Sequence, residues 1–210
     1  MKPRAEIKRL AKDNFIKSYW PCVAAGLLVG LVVGTLNTLS GGIATLILGP
    51  SFLIGYNMFS LSVYKGEPKD PGSIFSEAFE NFGHKLGGYL WMELFIFLWS
   101  LLFFVPGIIK SLSYAMTPYL LDDCKNLPAK DALKVSMRMM KGHKWELFVF
   151  HLSFIGWHLL SVLTLGILTI FLISPYQSTA LAGYYKERKM SALEEGIITE
   201  AELNGEPIAA

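Results

Sequence analysis

Charge is what this sequence most lacks. Asp, Glu, Lys and Arg make up 17% of its 210 residues, against roughly 25% in an ordinary soluble domain. The deficit is uneven, and Cys22–Tyr64 holds no charged residue over 43 positions. A bilayer crossing takes about 20 apolar residues at roughly 1.5 Å rise each. The stretch is long enough for two crossings, and a soluble helix pair of that length would show a polar face.

Cysteine is scarce as well. Cys22 and Cys124 are the only two, with neither metal-ligand spacing nor the makings of a disulfide framework. The net charge of +2 gives no ground for nucleic-acid binding. The first nineteen residues are charged throughout and lack a short apolar region with a cleavage site, so no cleavable signal peptide is expected. Walker, dinucleotide-binding, HExxH and nucleophile-elbow motifs are all missing. No enzyme chemistry, no cofactor and no metal site are expected.

What is present reads as an all-α, polytopic membrane helix bundle of about six spans. The spans fall at about 20–39, 43–64, 86–105, 106–121, 144–163 and 166–185. The break at Pro106-Gly107 is read as the tight turn between the third and fourth, and Pro118 as a bend in the fourth. Three stretches carry apolar residues on one helical face, at about 5–19, 73–82 and 128–141. In the first, Ile7, Leu10, Ala11 and Phe15 share a face while Lys8, Arg9, Lys12 and Lys17 lie largely elsewhere. That is the pattern of an interfacial amphipathic helix. Ser73 is placed to cap the second helix, and Gly83 and Gly142 to end the second and third. The tail, 190–210, is acidic, poor in aromatics and expected to be loose.

The layout reads as three repeats of amphipathic helix plus helical hairpin. Gly83-His84-Lys85 and Gly142-His143-Lys144 occupy equivalent places. A bundle of unrelated hairpins would give a similar layout. Lys and Arg number six before the first span, three between the second and third, six between the fourth and fifth, and three after the sixth. Only Lys110 lies toward the other side. The positive-inside rule therefore places both termini in the cytoplasm, with the three amphipathic helices on the anionic inner leaflet.

Polar residues at membrane depth are the default functional candidates. Glu93, His151, Asn57, Tyr114 and Gln177 each lie seven or eight residues from the inner end of a span, at a depth of roughly 10–12 Å. They define either a polar cavity open to the cytoplasm, with Glu93 and His151 as its ionisable pair, or a set of interhelical hydrogen bonds. His158 lies on nearly the same face as His151 but lacks further ligands for a metal. Lys110 reads as a boundary anchor that snorkels outward.

PGIIKSLSY at 106–114, SMRMMKGHKWELF at 136–148, LSFIGWHLL at 152–160 and SPYQSTALAGYY at 174–185 together resemble a bacterial family of integral membrane proteins. The family is catalogued as domain of unknown function 975, and the resemblance covers about 4–189. It is distantly similar to the membrane domain attached to some glycerophosphodiester phosphodiesterases. The resemblance implies a multi-spanning protein of the bacterial cytoplasmic membrane and brings no catalytic residues. The expected partners are membrane lipids and a small or amphiphilic ligand, with the oligomeric state open. The leading expectation is a protein that binds or moves such a molecule. A second is an interaction or envelope-maintenance protein working through Lys130, Lys134, Arg138 and Lys141. A third is a lipid-modifying enzyme built on Asp122, Asp123 and His143.

Overall fold

Proline and glycine decide where the helices of this chain start and stop, and the computed structural model shows several of them acting differently from expectation. It describes residues 1–206, with the backbone alone for Phe104. All regular structure among the described residues is helical. The helices are α1 (Arg4–Lys17), α2 (Tyr19–Ser40), α3 (Ile43–Lys65), α4 (Ser73–Phe79), α5 (Phe82–Leu102) and α6 (Phe104–Tyr114). They continue with α7 (Thr117–Asp123), α8 (Ala129–Met139), α9 (Lys144–Leu152), α10 (Ile155–Leu163), α11 (Ser174–Glu194) and α12 (Glu200–Leu203). A π-helical turn, Thr169–Ile173, runs into α11. Pro175 has no N–H to give to the Phe171 carbonyl four residues back, which favours the wider turn there.

Four segments are long and apolar enough to cross a membrane: Tyr19–Ser40, Ile43–Lys65, Phe82–Leu102 and Lys144–Leu163. The fourth of these is interrupted by turns at Ser153-Phe154, between α9 and α10. Helix α3 is the hub of the bundle. It is buried almost continuously from Pro50 to Tyr64, and α1, α2, α4, α5, α7 and α11 all pack on it. The helix ends nearest the hairpin turns are bare by contrast. Leu39, Ile43, Leu101, Phe103, Leu163 and Leu165 are all exposed there, which suits a hydrocarbon solvent and not water.

The turn at Pro106-Gly107 is not where the sequence reading puts it. The chain reverses at Phe103, which is extended, and Pro106-Gly107 lie inside the first turns of α6. Proline is tolerated early in a helix because the first N–H groups have no intrahelical partner. Gly107 lets the hairpin close, since a Cβ there would lie 2.9 Å from the Ser100 Cα on α5. The stretch 106–121 is broken again at Ala115-Met116, just before Pro118 at the start of α7. Ser136 of α8 repairs this break. Its buried hydroxyl donates to the Ser113 carbonyl at 2.8 Å and accepts from the Met116 N–H at 3.3 Å.

The helix expected over 73–82 ends at Phe79, with the turn at Glu80-Asn81, and Asn81 takes a left-handed conformation. Gly83 therefore sits inside α5 and terminates nothing. Ser73 is the first residue of α4 and makes no capping hydrogen bond. Gly142, with φ +85°, does follow α8 in the left-handed form.

The helices expected to float at the interface are seated on the bundle. Helix α1 buries Ile7, Ala11 and Phe15, and α8 buries Ala132, Leu133, Val135, Ser136 and Met139. Within the described residues the tail is partly helical and packs on the bundle. Helix α11 continues to Glu194, and Thr199 and Glu202 form a capping box on α12. Ile198 and Leu203 are buried, and Arg138 pairs with Glu202 at 2.8 Å and also donates to the Ile197 carbonyl. Apolar residues spaced through an acidic segment are enough to dock it once a cation on α8 faces it. Residues 207–210 lie outside the described part.

Candidate functional site

Helix α2 carries Gly26, Gly30 and Gly34 at four-residue spacing. Small residues at this spacing usually let two membrane helices approach closely. Here only Gly26 has a near neighbour, the Tyr56 hydroxyl 3.7 Å from where its Cβ would be. Gly30 and Gly34 face open space. They help form a groove of about 920 Å³ between α2, α3 and α5. Its walls are largely apolar, with Val29, Val33, Leu46 and Leu53 among them, and Asn37 and Thr45 add polar groups. Tyr89 and Glu93 reach it from α5.

Glu93 is the one acidic residue far inside a span, and it is exposed on this groove. It lies eight residues along α5 from the buried Lys85, about 12 Å on the helical rise. Tyr89, one turn earlier, lines the same groove. An intramembrane carboxylate facing an apolar groove is costly unless something pairs with it. The groove is thus suited to an amphiphile with apolar bulk and a cationic or hydrogen-bond-donating head.

The other predicted site residues do not gather around Glu93. His151 is half-buried on α9, its ring edge-on to Phe150 at 6.2 Å. Gln177 Oε1 accepts from His158 Nε2 at 2.9 Å, tying α10 to α11. Tyr114 is buried in a small cluster with Met92 and Leu133. Asn57 is half-buried on α3. Lys110 lies over two rings, 4.9 Å from the Trp99 centroid and 5.8 Å from that of Tyr114. Among the described residues, no hydrogen bond or ion pair joins any two of Glu93, His151, Asn57, Tyr114 and Gln177.

A second polar region holds the loop ends of the helices together. Lys85 is 1% exposed and pairs with Asp122 of α7, and its Nζ also donates to the Glu77 carbonyl. Asp123 accepts from the Tyr185 hydroxyl at 2.6 Å and from Lys189 Nζ at 2.7 Å. Burial would raise the Asp123 carboxyl, but Lys189 and Tyr185 outweigh it and hold it below its usual range. Arg188 is fully buried on α11 and donates through Nε to the Met139 carbonyl at 2.6 Å. His143 lies 3.0 Å from Glu146. Asp122, Asp123 and His143 are therefore each engaged in a different contact.

The sequence reading missed the groove and the buried cations. The four-residue glycine spacing in α2 was the available signal for the first. For Lys85 and Arg188 there was none, since a lysine near a span end reads as solvated.

Residues 103–191 match the family described as a protein of unknown function, DUF975. The match contains all four motifs, from PGIIKSLSY to SPYQSTALAGYY, and is shorter than the 4–189 expected. No curated protein and no solved structure matches the chain.

Proposed function

We propose that this protein is a non-enzymatic component of the bacterial cytoplasmic membrane that binds, and passes between environments, an amphiphilic molecule held in the groove beside Glu93. One observation carries the reading: a carboxylate exposed on a large apolar groove whose floor is glycine and open. The entrance is lateral, between α2, α3 and α5, and not the cytoplasmic opening with His151 that the sequence alone suggested. The topology we propose is six spans, counting α6–α7 and the π turn with α11 alongside the four long apolar segments. They are arranged as three repeats of a surface helix and a hairpin, with both termini cytoplasmic. That arrangement rests on eighteen of the nineteen Lys and Arg residues lying on one side.

The test is mass spectrometry of small molecules and lipids retained after gentle purification from native membranes. Wild type is compared with Glu93→Gln and Gly34→Leu. A Cβ at position 34 meets nothing within 4 Å, so this substitution extends a side chain into the groove. A molecule retained by wild type and lost from both variants is the expected result. Identical profiles in all three proteins would overturn the reading.

A further inference from the structure

The basic side of α1 meets two hollows that the groove at Glu93 does not involve. Arg4, Lys8 and Lys12 recur every four residues and so share one face of the helix. Among the described residues, none of the three has an acidic side chain within ion-pair distance, whereas Lys2 beside them pairs with Glu187 at 3.1 Å. Burial lowers the Lys8 ammonium from its usual range, and the like charge of Arg4 lowers it further. The row is thus short of negative charge.

Below this row lies apolar space. A hollow of about 350 Å³ is bounded by Lys12, Phe15 and Ile16 of α1, Phe154 and Trp157 by α10, and Tyr176 of α11. A second, of about 330 Å³, is bounded by Arg4 and Lys8 with Val149, Phe150 and Ser153. Lys8 lines the second and lies over Phe154, which walls the first, at 4.2 Å from its ring centroid. Its ammonium also donates to Ser153 Oγ at 2.7 Å. Trp20, at the start of α2, is 75% exposed. Tryptophan is enriched at the membrane–water boundary, and its position four residues beyond Ile16 puts the end of α1 at that level.

We propose that the cleft between α1 and the α9–α10 segment binds one anionic phospholipid, its phosphate on Arg4, Lys8 and Lys12 and an acyl chain against Phe154, Trp157 and Tyr176. Three unpaired cations select an anion, and the apolar hollows select one that carries a hydrocarbon chain. A free phosphate would leave the hollows unfilled. The lipid would bridge α1 to the α9–α10 segment, which α1 otherwise reaches chiefly through Lys8.

The experiment uses the full chain in detergent, titrated with phosphatidylglycerol or phosphatidylcholine and read by native mass spectrometry. The expected result is selective retention of phosphatidylglycerol by wild type. Near a membrane surface each such cation contributes about fivefold in affinity, so replacing Arg4, Lys8 and Lys12 by Gln should weaken binding on the order of a hundredfold. A variant with Arg9, Lys17 and Lys130 changed to Gln removes the same charge elsewhere and should bind as wild type does. The single change Lys12→Gln, at an exposed side chain, gives a partial loss in a protein whose fold is undisturbed. Equal retention of both lipids by wild type would overturn the proposal, as would equal losses in the two triple variants. Displacement of phosphatidylglycerol by inorganic phosphate or glycerol phosphate would overturn it too, by showing a site for the free anion.

Discussion

Ser136 and Lys85 each serve a break or a junction that hydropathy alone does not reveal. The Ser136 hydroxyl satisfies a carbonyl and an N–H left over where 106–121 breaks. Ser136→Ala leaves both buried groups unpaired and should cost about 1–3 kcal/mol, read as a lower melting temperature in detergent. Lys85 and Asp122 form a buried pair, and removing one partner strands the other. Lys85→Met alone should cost about 3–5 kcal/mol, and Lys85→Met with Asp122→Leu much less, because no charge is then left buried alone. A double variant no more stable than the single one would refute this account of the pair.

At the scale of the element, close approach and docking matter more than propensity. A Cβ on Gly183 of α11 would lie 2.6 Å from Cζ of the buried Tyr64 on α3. Gly183→Ala should therefore force the two helices apart and destabilise by about 1–3 kcal/mol, the usual cost of overpacking. The tail is a second case. Ile198 and Leu203 each contribute about 1.5–3 kcal/mol by burial, and the capping box fixes the short helix that presents Leu203. Limited proteolysis should spare residues 196–206 in the native protein. Arg138→Gln should make them cleavable by removing the contacts with Glu202 and Ile197.

For the molecule as a whole, Asp123 and Lys189 join α7 to α11 and make stability depend on pH. The Asp123 carboxyl is held low in the folded state, so its contribution is present above the unfolded value of about 3.9 and is lost as pH falls through the lower folded value. Burial lowers the Lys189 ammonium, but Asp123 and Cys124 outweigh it and leave it raised. Its contribution is full below about 10.4 and is lost as pH rises through the higher folded value. Melting temperature should be flat with respect to this pair between those limits and fall outside them. Lys189→Met should weaken the acid-side dependence. An unchanged acid limb in that variant would show that other carboxylates set it.

The sequence by itself determined the helical class and the long apolar segments, because each is a local property of spacing and composition. The stretch Cys22–Tyr64 needs no tertiary information to be read as a hairpin. It also singled out Glu93, since an acid inside an apolar run is visible in one dimension. Only the tertiary structure decided what Glu93 faces. The groove depends on how α2, α3 and α5 splay, and Gly30 and Gly34 could as well have closed it. The turn at Phe103, the break mended by Ser136, the docked tail and the buried Lys85 were likewise out of reach. The last three depend on partners far along the chain, and a pairing energy between distant residues leaves no periodic trace.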